Sequence, residues 1–527
     1  MASDQSFKLT YATMFNPPEE LHTRYEDALA KVKSTLGADY AMLIDGKDVF
    51  TDEKIENRNP ANTDELLGTF QKGTAEHAAA ALAAARRTAK SWAHTPWQER
   101  VALLRKAASI MDRRTFEMGV VLSLEVGKNR MEGLGDIAET ADLIRYACDR
   151  MEASNGFVIP MGKDPLAGYE GINTSVLRPY GVWLVISPFN FPGALTGGPA
   201  GAALVTGNTL VMKPATDTPW TTRLIAECFQ EAGIPDGVFN FISGPGSTVG
   251  QALIESPEVD GITFTGSYDV GMKIFRDFAQ GRFVRPTILE LGGKNPSIVT
   301  KNADLEAAAI GIVRSAFGLQ GQKCSANSRV FIETAVYDQL VNRIVELTSK
   351  LAIGDPTDRA NYLGPVVNKS SYRDYQDFCA ELHAAGKVLI GGKVLTDGEY
   401  AKGYFCAPTI AELPYSHRLW KHEMFVPITT VGKFDDLNVA MEMANDVEYG
   451  LTAGFYGTED EAAWFFDHIE AGVTYANRPM GSTTGAWPGF QPFGGWKGSG
   501  SSGKNAGGEH YLQLYLHEQI RSLVRKV

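Results

Sequence analysis

Val182-Trp-Leu-Val-Ile186, Thr209-Leu-Val-Met212, Val238-Phe-Asn-Phe-Ile242, Gly261-Ile-Thr-Phe-Thr265 and Thr287-Ile-Leu-Glu290 are short apolar runs set apart by helical stretches. The helical stretches are Gly193 to Val205, Thr218 to Ala232, Ser247 to Ile254 and a segment running through Phe278. Runs this short and this uniformly apolar read as strands covered on both faces. One helix between each pair of strands makes neighbours parallel, so the fold class is α/β with a doubly wound, Rossmann-like sheet. Such sheets offer a ligand crevice at the carboxyl ends of their strands, which makes residues 181–290 a nucleotide-binding candidate.

Working outward, the alternation starts again beyond residue 300. Helices near 304–318 and 334–351, a short strand Val388-Leu-Ile390, and helices near 436–445 and 459–471 indicate a second α/β unit. Toward the N-terminus, an amphipathic stretch from Glu19 to Leu36 leads into Tyr40-Ala-Met-Leu-Ile44 and the turn Asp45-Gly46, an arm entering a hairpin. Residues 74–93 are Ala-rich, and 97–112 and 115–153 keep helical apolar spacing, as helices flanking a sheet would. Residues 156–180 lack that spacing and predict an antiparallel flap, with Tyr511-Leu-Gln-Leu-Tyr-Leu516 as its expected partner.

A chain of 527 residues exceeds one ordinary core and implies several domains. The net charge of -12 offers no field for phosphate backbones, and basic runs stop at pairs such as Arg86-Arg87, so no nucleic-acid partner is expected. The opening Met1-Ala-Ser-Asp-Gln-Ser-Phe-Lys8 lacks a basic segment followed by an apolar one, and no long apolar window follows. The expected location is cytoplasmic, or matrix-like after loss of a leader, with no membrane partner. The five cysteines, at 148, 228, 324, 379 and 406, are odd in number and lack Cys-x-x-Cys spacing, which argues against disulfides and zinc. Each reads first as a small buried apolar residue. The nine histidines show no ligand spacing, so no metal is expected.

Candidate chemistry gathers at the ends of the predicted strands. Gly244-Pro-Gly-Ser-Thr-Val-Gly250 opens a helix, and its Gly246 and Gly250 let backbone approach an anion; its spacing is also that of an ordinary strand-to-helix turn. Phe264-Thr-Gly266-Ser267 opens the next helix, where Ser267 is placed to cap it and face a phosphate. Lys213 ends its strand either as a ribose ligand or as a solvated terminus. In Gly321-Gln-Lys-Cys-Ser-Ala326, the adjacent Lys323 and a Gly- and Ser-containing loop favour a Cys324 thiolate; the alternative is a structural thiol. Glu290, before Leu-Gly-Gly-Lys294, is either a general base raised by burial or a carboxylate paired with Lys294. Asn190 in Ser187-Pro-Phe-Asn-Phe-Pro192 is either a fixed amide donor for an oxyanion or a structural turn residue.

In order, S-P-F-N-F-P at Asn190, K-P-A at Lys213, F-T-G-S at Ser267, E-L-G-G-K at Glu290 and G-Q-K-C at Cys324 resemble the aldehyde dehydrogenase superfamily. Glu423-Met-Phe425, Asn477 and Pro492-Phe-Gly-Gly495 extend the resemblance from about residue 40 to 515. It implies Cys324 as nucleophile, Asn190 with the Cys324 N–H as oxyanion donors, and Glu290 as the base that activates water on the thioester. Ser187, Gly246, Gly250, Gly266 and Ser267 would surround NAD, Lys213 and Glu423 would hold its riboses, and Phe425 would pack by the nicotinamide. The implied domains are an NAD-binding domain with N-terminal arm (1–155 and 181–290), a catalytic domain (291–500), and a flap and tail (156–180 and 501–527). The flap implies a homodimer or an oligomer of dimers.

Thr484-Gly-Ala486, Gln491-Pro-Phe-Gly-Gly495, Lys504-Asn-Ala-Gly-Gly508, His510-Tyr-Leu and Ser325 resemble the Δ1-pyrroline-5-carboxylate dehydrogenase branch. That resemblance implies L-glutamate γ-semialdehyde as substrate, its carboxylate held by Ser325, Gly485 and Ala486. Phe189, Val426 and Trp487-Pro-Gly-Phe490 depart from the family pattern, and Thr216 stands where strict NAD users often have Glu, which leaves NADP open beside NAD. Two other readings stand beside it: a dehydrogenase for another aliphatic or aromatic aldehyde lined by Trp487 and Phe490, and a non-catalytic nucleotide-binding member of the fold.

Overall fold

Two seven-stranded sheets carry the computed structural model, which describes residues 17–527. The opening Met1 to Lys8 and the first part of the N-terminal arm lie outside the described residues. In the first sheet, strand Val182–Ile186 lies between Thr209–Lys213 and Gly261–Thr265, with Thr287–Glu290 beyond the latter and Phe239–Phe241 beyond the former. All these pairings are parallel. The order runs outward in both directions from Val182–Ile186, so the crevice where the order reverses opens beside that strand. The hairpin Met42–Ile44 and Lys47–Val49 adds an antiparallel edge, as the arm's turn at Asp45-Gly46 predicts.

The strands are apolar throughout because helices cover both faces. Trp183, Leu184, Leu210, Val211 and Ile262 show no exposure, each burial worth about 1.5–3 kcal/mol. Ala75–His94 packs on one face, and Trp97–Arg113 and Ala194–Thr206 on the other side share a second cluster. The segment expected as one helix over 115–153 is two. Thr115–Val126 stops at Gly127, and Arg130–Ala153 restarts where the Asn129 side chain accepts from the Glu132 N–H. A cap residue inside an apolar repeat is easily read through when periodicity alone is followed.

The second sheet runs Lys387–Ile390, Thr409–Glu412, Ile428–Phe434, Asn327–Glu333, Asn295–Val299, Thr452–Tyr456 and Val473–Ala476, parallel except for its first strand. Sequence reading names only the first of these. The others are buried runs broken by Thr, Asn or Gly, and their apolar content is lower. The hairpin Lys54–Asn59 with Asn62–Gln71 and the helix Lys369–Ala385 also escape it.

Residues Val158–Pro160 and Tyr169–Pro179 form the expected flap, but its partner strand is Leu516–Lys526; Tyr511–Tyr515 is a tight 3-10 turn leading into it. The Tyr511, Leu512 and Tyr515 side chains are buried in the first core, which holds that turn away from the flap. Among the described residues no helix is long and apolar enough to cross a membrane.

Candidate active site

Thr287–Glu290 ends the first sheet and Asn295–Val299 enters the second, so four residues, Leu291 to Lys294, join the two. The carboxyl edge of one sheet thereby faces the amino edge of the other. Ser187, Lys213, Gly266 and Glu290 stand at the carboxyl ends of the first sheet, and Cys324 and Glu423 on the loops that enter strands of the second. The pair Gly292-Gly293 makes that approach possible. A Cβ on Gly292 would lie 2.3 Å from the Glu423 carboxylate, and one on Gly293 2.3 Å from the Cys324 carbonyl.

The Cys324 loop is held from several sides. Asn295 Nδ2 donates to the carbonyls of Cys324 at 2.6 Å and Ala326 at 2.9 Å. Leu319 and Gln320 both adopt left-handed backbone, with φ of 48° and 54°, a conformation that costs of order 1–3 kcal/mol each in non-glycine residues. The Gln320 amide offsets this by donating to the carbonyls of Gly127 and Pro365 at 2.9 and 2.6 Å. Asn190, buried, donates through Nδ2 to the Gln322 carbonyl at 3.0 Å, which fixes its amide against the same loop and leaves a second N–H on that nitrogen.

Four of the cysteines are buried and Cys324 is partly exposed, so it alone among the five offers a thiol to a ligand. Burial, then the nearby Glu423 and Glu290, push that thiol up to about 12, opposed by the backbone N–H groups of Ser325 and Cys324. The expectation that Lys323 lowers it is not met. Lys323 Nζ turns away to Glu132 at 2.9 Å, and that ion pair absorbs its charge.

Glu290 and Lys294 are not a pair. Glu290 Oε2 and Lys294 Nζ are both buried without a hydrogen-bond partner. Burial pushes the Glu290 carboxyl up to about 8 and the Lys294 amine well down. Glu423 is raised to about 7 by burial while its Oε1 accepts the Gly293 N–H at 2.7 Å.

At the crevice, Ser187 Oγ is buried without a partner. Burial lowers Lys213 to about 8, and its Nζ donates to the Pro214 carbonyl at 2.9 Å. Gly246 has open space where a Cβ would be, whereas Gly250 lies against the Lys213 stem. The helix expected from Ser247 begins as a wide turn, Gly246–Gly250, before Gln251–Glu255. Ser267 occupies the cap position of Tyr268–Ala279 as expected, yet its side chain makes no cap bond and is exposed. An unpartnered buried hydroxyl, an open glycine turn and a free cap serine fit a dinucleotide. Phe425, at φ 55°, meets the Phe189 ring edge-on at 5.7 Å.

The Ser325 carbonyl accepts from Thr483 Oγ1 at 2.7 Å, which draws the 482–486 loop to the nucleophile loop. Gly485 has φ 140°, and a Cβ there would strike the Arg478 guanidinium at 2.3 Å. Among the described residues, neither the Gly485 nor the Ala486 N–H is donated to another group. A charged cluster missed in the sequence packs against the Lys323 side of the nucleophile loop. Glu132, Asp136 and Glu139, spaced to share one face of Arg130–Ala153, meet Lys128 and Lys323 around the Phe191 ring. The fully buried pair Lys128–Asp136, at 3.0 Å, also caps helix Ala194–Thr206, Asp136 accepting from the Ala194 N–H at 2.7 Å. The i, i+4, i+7 acidic spacing was the available signal.

The profile of the Aldehyde dehydrogenase family matches residues 49–520. A 1-pyrroline-5-carboxylate dehydrogenase of Geobacillus sp. (strain WCH70) is 40% identical over 508 residues, 94% of this chain and 95% of the relative. The crystal structure of a Thermus 1-pyrroline-5-carboxylate dehydrogenase with bound NAD superposes with TM-score 0.91 at 36% identity, covering 97% of this chain and 98% of that one. A betaine aldehyde dehydrogenase from Staphylococcus aureus in complex with NAD+ gives TM-score 0.86 at 27% identity, over 95% and 97% of the chains. With two α/β sheets facing across the Leu291 to Lys294 crossing and a cysteine loop between them, this chain belongs to the aldehyde dehydrogenase family.

Proposed function

We propose that the chain oxidises L-glutamate γ-semialdehyde to L-glutamate with NAD, as part of proline breakdown, through a thioester on Cys324. The observation that carries the chemistry is the partly exposed Cys324 thiol on the loop that fixes the Asn190 amide, within the electrostatic reach of the Glu290 carboxyl, whose Oε2 has no partner. The Cys324 thiol gives up its proton to solvent water as its sulfur attacks the aldehyde carbon, and the remaining Asn190 N–H and the Cys324 backbone N–H receive the oxyanion. When bound, the nicotinamide would supply the hydride acceptor. Glu290 then takes a proton from the water that attacks the thioester, and the carboxylate leaves. Ser187, Lys213, Gly246, Gly250, Gly266, Ser267, Glu423 and Phe425 are assigned to NAD. Thr216, exposed, puts no carboxylate against a 2′-phosphate, so NADP is admitted as a weaker alternative.

The substrate assignment rests on the undonated N–H groups of Gly485 and Ala486 beside Ser325, a group of donors suited to a carboxylate. Comparing the semialdehyde with an aliphatic aldehyde of equal length should show kcat/KM higher by about 10- to 100-fold for the charged substrate, the effect of charge-assisted hydrogen bonds. Equal values would remove the carboxylate anchor and leave the general aldehyde reading.

The raised Glu290 carboxyl sets the pH response. As an acid held up to about 8 by burial, it is protonated and idle as a base below that pH. Hydrolysis-limited kcat should therefore rise about tenfold per pH unit from 6 to 7 and level off above about 8. A flat profile across that window would contradict the base role. Cys324, Tyr511 and Tyr515 are the titratable groups that share its field, all held above the range tested.

The flap strands Tyr169–Pro179 and Leu516–Lys526 expose Ile520 and Val524 on one face and Ile172 and Leu523 on the other, apolar surface that a second subunit would cover. A homodimer, or a higher oligomer of dimers, working in the cytoplasm completes the reading.

A further inference from the structure

The last strand of the second sheet, Val473–Ala476, and the turn after it carry two side chains that reach back to the 484–486 loop. The Tyr475 hydroxyl donates to the Gly485 carbonyl. Arg478 Nη1 donates to the Thr484 carbonyl at 3.0 Å. The two donors lie together, the Arg478 guanidinium standing over the Tyr475 ring at 4.8 Å, so both carbonyls are drawn toward one side. No peptide bond among the described residues is cis, and a planar trans peptide points its N–H opposite its C=O. The Thr484 carbonyl shares its peptide group with the Gly485 N–H, and the Gly485 carbonyl shares its own with the Ala486 N–H. Holding those two carbonyls therefore turns those two N–H groups to the other side, where neither is donated. Both donors are themselves fixed: Tyr475 is buried, and the Tyr456 hydroxyl donates to the Arg478 carbonyl at 2.7 Å. The loop is tied down independently as well. Ser315 Oγ, on helix Leu305–Phe317, accepts the Thr483 N–H at 3.1 Å, and with the bond from Thr483 Oγ1 to the Ser325 carbonyl this keeps the N–H pair beside the nucleophile loop.

We propose that Tyr475 and Arg478 are the positioning residues of the carboxylate anchor, and that they set the preference for aldehydes carrying an anionic group at the far end. The proposal rests on the reading of the Gly485 and Ala486 N–H groups as that anchor. Neither side chain has to touch the substrate, because each acts through the peptide group it orients. Two successive N–H groups make an anion site only when their peptide planes are fixed in advance. A loop free to turn would present a carbonyl as readily as an N–H, and a carbonyl repels a carboxylate. The same bonds also strengthen the anchor. A hydrogen bond accepted by a carbonyl polarises its peptide group and makes the N–H a better donor, and the charged guanidinium does so most. An aldehyde without a carboxylate makes no use of these N–H groups, so the two side chains act on selectivity and leave the thioester chemistry alone.

Two full-length variants test this: Tyr475→Phe, which removes the hydroxyl and keeps the ring under the guanidinium, and Arg478→Met, which removes the donor and keeps an unbranched chain. Each is assayed with NAD on L-glutamate γ-semialdehyde and on the aliphatic aldehyde of equal length, and L-glutamate is added as an inhibitor. For the semialdehyde, KM should rise about tenfold in each variant with kcat within about twofold, and inhibition by L-glutamate should weaken by about the same tenfold. For the aliphatic aldehyde, kcat/KM should stay within about twofold, which also reports that the samples are folded. Arg478→Lys, which keeps a charged donor, should recover most of the loss. Tyr475→Phe changes no charge, so its selective loss separates an oriented peptide from the field of the arginine alone. An unchanged semialdehyde KM in either variant, or an equal loss for both aldehydes, overturns the proposal. The parent tells the two claims apart. If it prefers the semialdehyde and both variants keep that preference, the positioning role alone fails; if the parent shows no preference, the anchor itself fails.

Discussion

Cys324→Ala is expected to reduce NAD-linked aldehyde oxidation by about 10⁴- to 10⁶-fold while leaving the fold intact. The large effect follows from the position of the thiol. It is the carbon-attacking group, and Cys148, Cys228, Cys379 and Cys406 are buried and so offer no substitute. The small structural cost follows from the loop, which is held by backbone carbonyls accepting from Asn295 and by the Gln320 amide rather than by the sulfur. The check is steady-state NADH formation beside a thermal melt. Retained turnover would remove the nucleophile assignment, and a collapsed melt would show that the thiol is structural.

Glu290→Gln should separate the half-reactions. The amide cannot accept the water proton, so thioester hydrolysis should slow by about 10²- to 10⁴-fold while hydride transfer in the first turnover continues. The same substitution removes a buried carboxyl that burial holds up to about 8, and Oε2 has no partner to lose. Removing a carboxyl and keeping its shape leaves no new unpaired charge, so stability should be unchanged or slightly higher. Rapid mixing should show one equivalent of NADH and then a stall. An equal loss in both phases would mean that Glu290 serves the first half-reaction instead.

Both assignments begin in the sequence, and their reach can be traced residue by residue. The parallel block from Val182 to Glu290 is legible because each strand is uniformly apolar and each connection holds one helix. Strands such as Ile428–Phe434 and Thr452–Tyr456 are not, because Thr and Gly fill buried sheet positions and interrupt the apolar run. Loop chemistry shows the same division. Gly292-Gly293 and Gly485 stand out by residue type, and the structure gives each a crowded neighbour. The direction of Lys323 was not readable, since its partner Glu132 lies 191 residues earlier on a helix judged only by its apolar spacing. Adjacency in sequence suggested that lysine would favour the thiolate; in space the ammonium is spent elsewhere. Likewise the flap's partner strand lies just past the apolar run chosen for it, because Tyr511 and Tyr515 are needed in the core behind Glu290.

The central claim, that oxidation runs through an acyl group on Cys324, is tested most directly by trapping it. Glu290→Gln is mixed with NAD and L-glutamate γ-semialdehyde, quenched in acid after the first turnover, digested and mapped by mass spectrometry. An acyl adduct on the peptide carrying Cys324, in one-to-one ratio with NADH formed, is the result predicted. NADH formed with no adduct on Cys324, or with the adduct on any other residue, would contradict it.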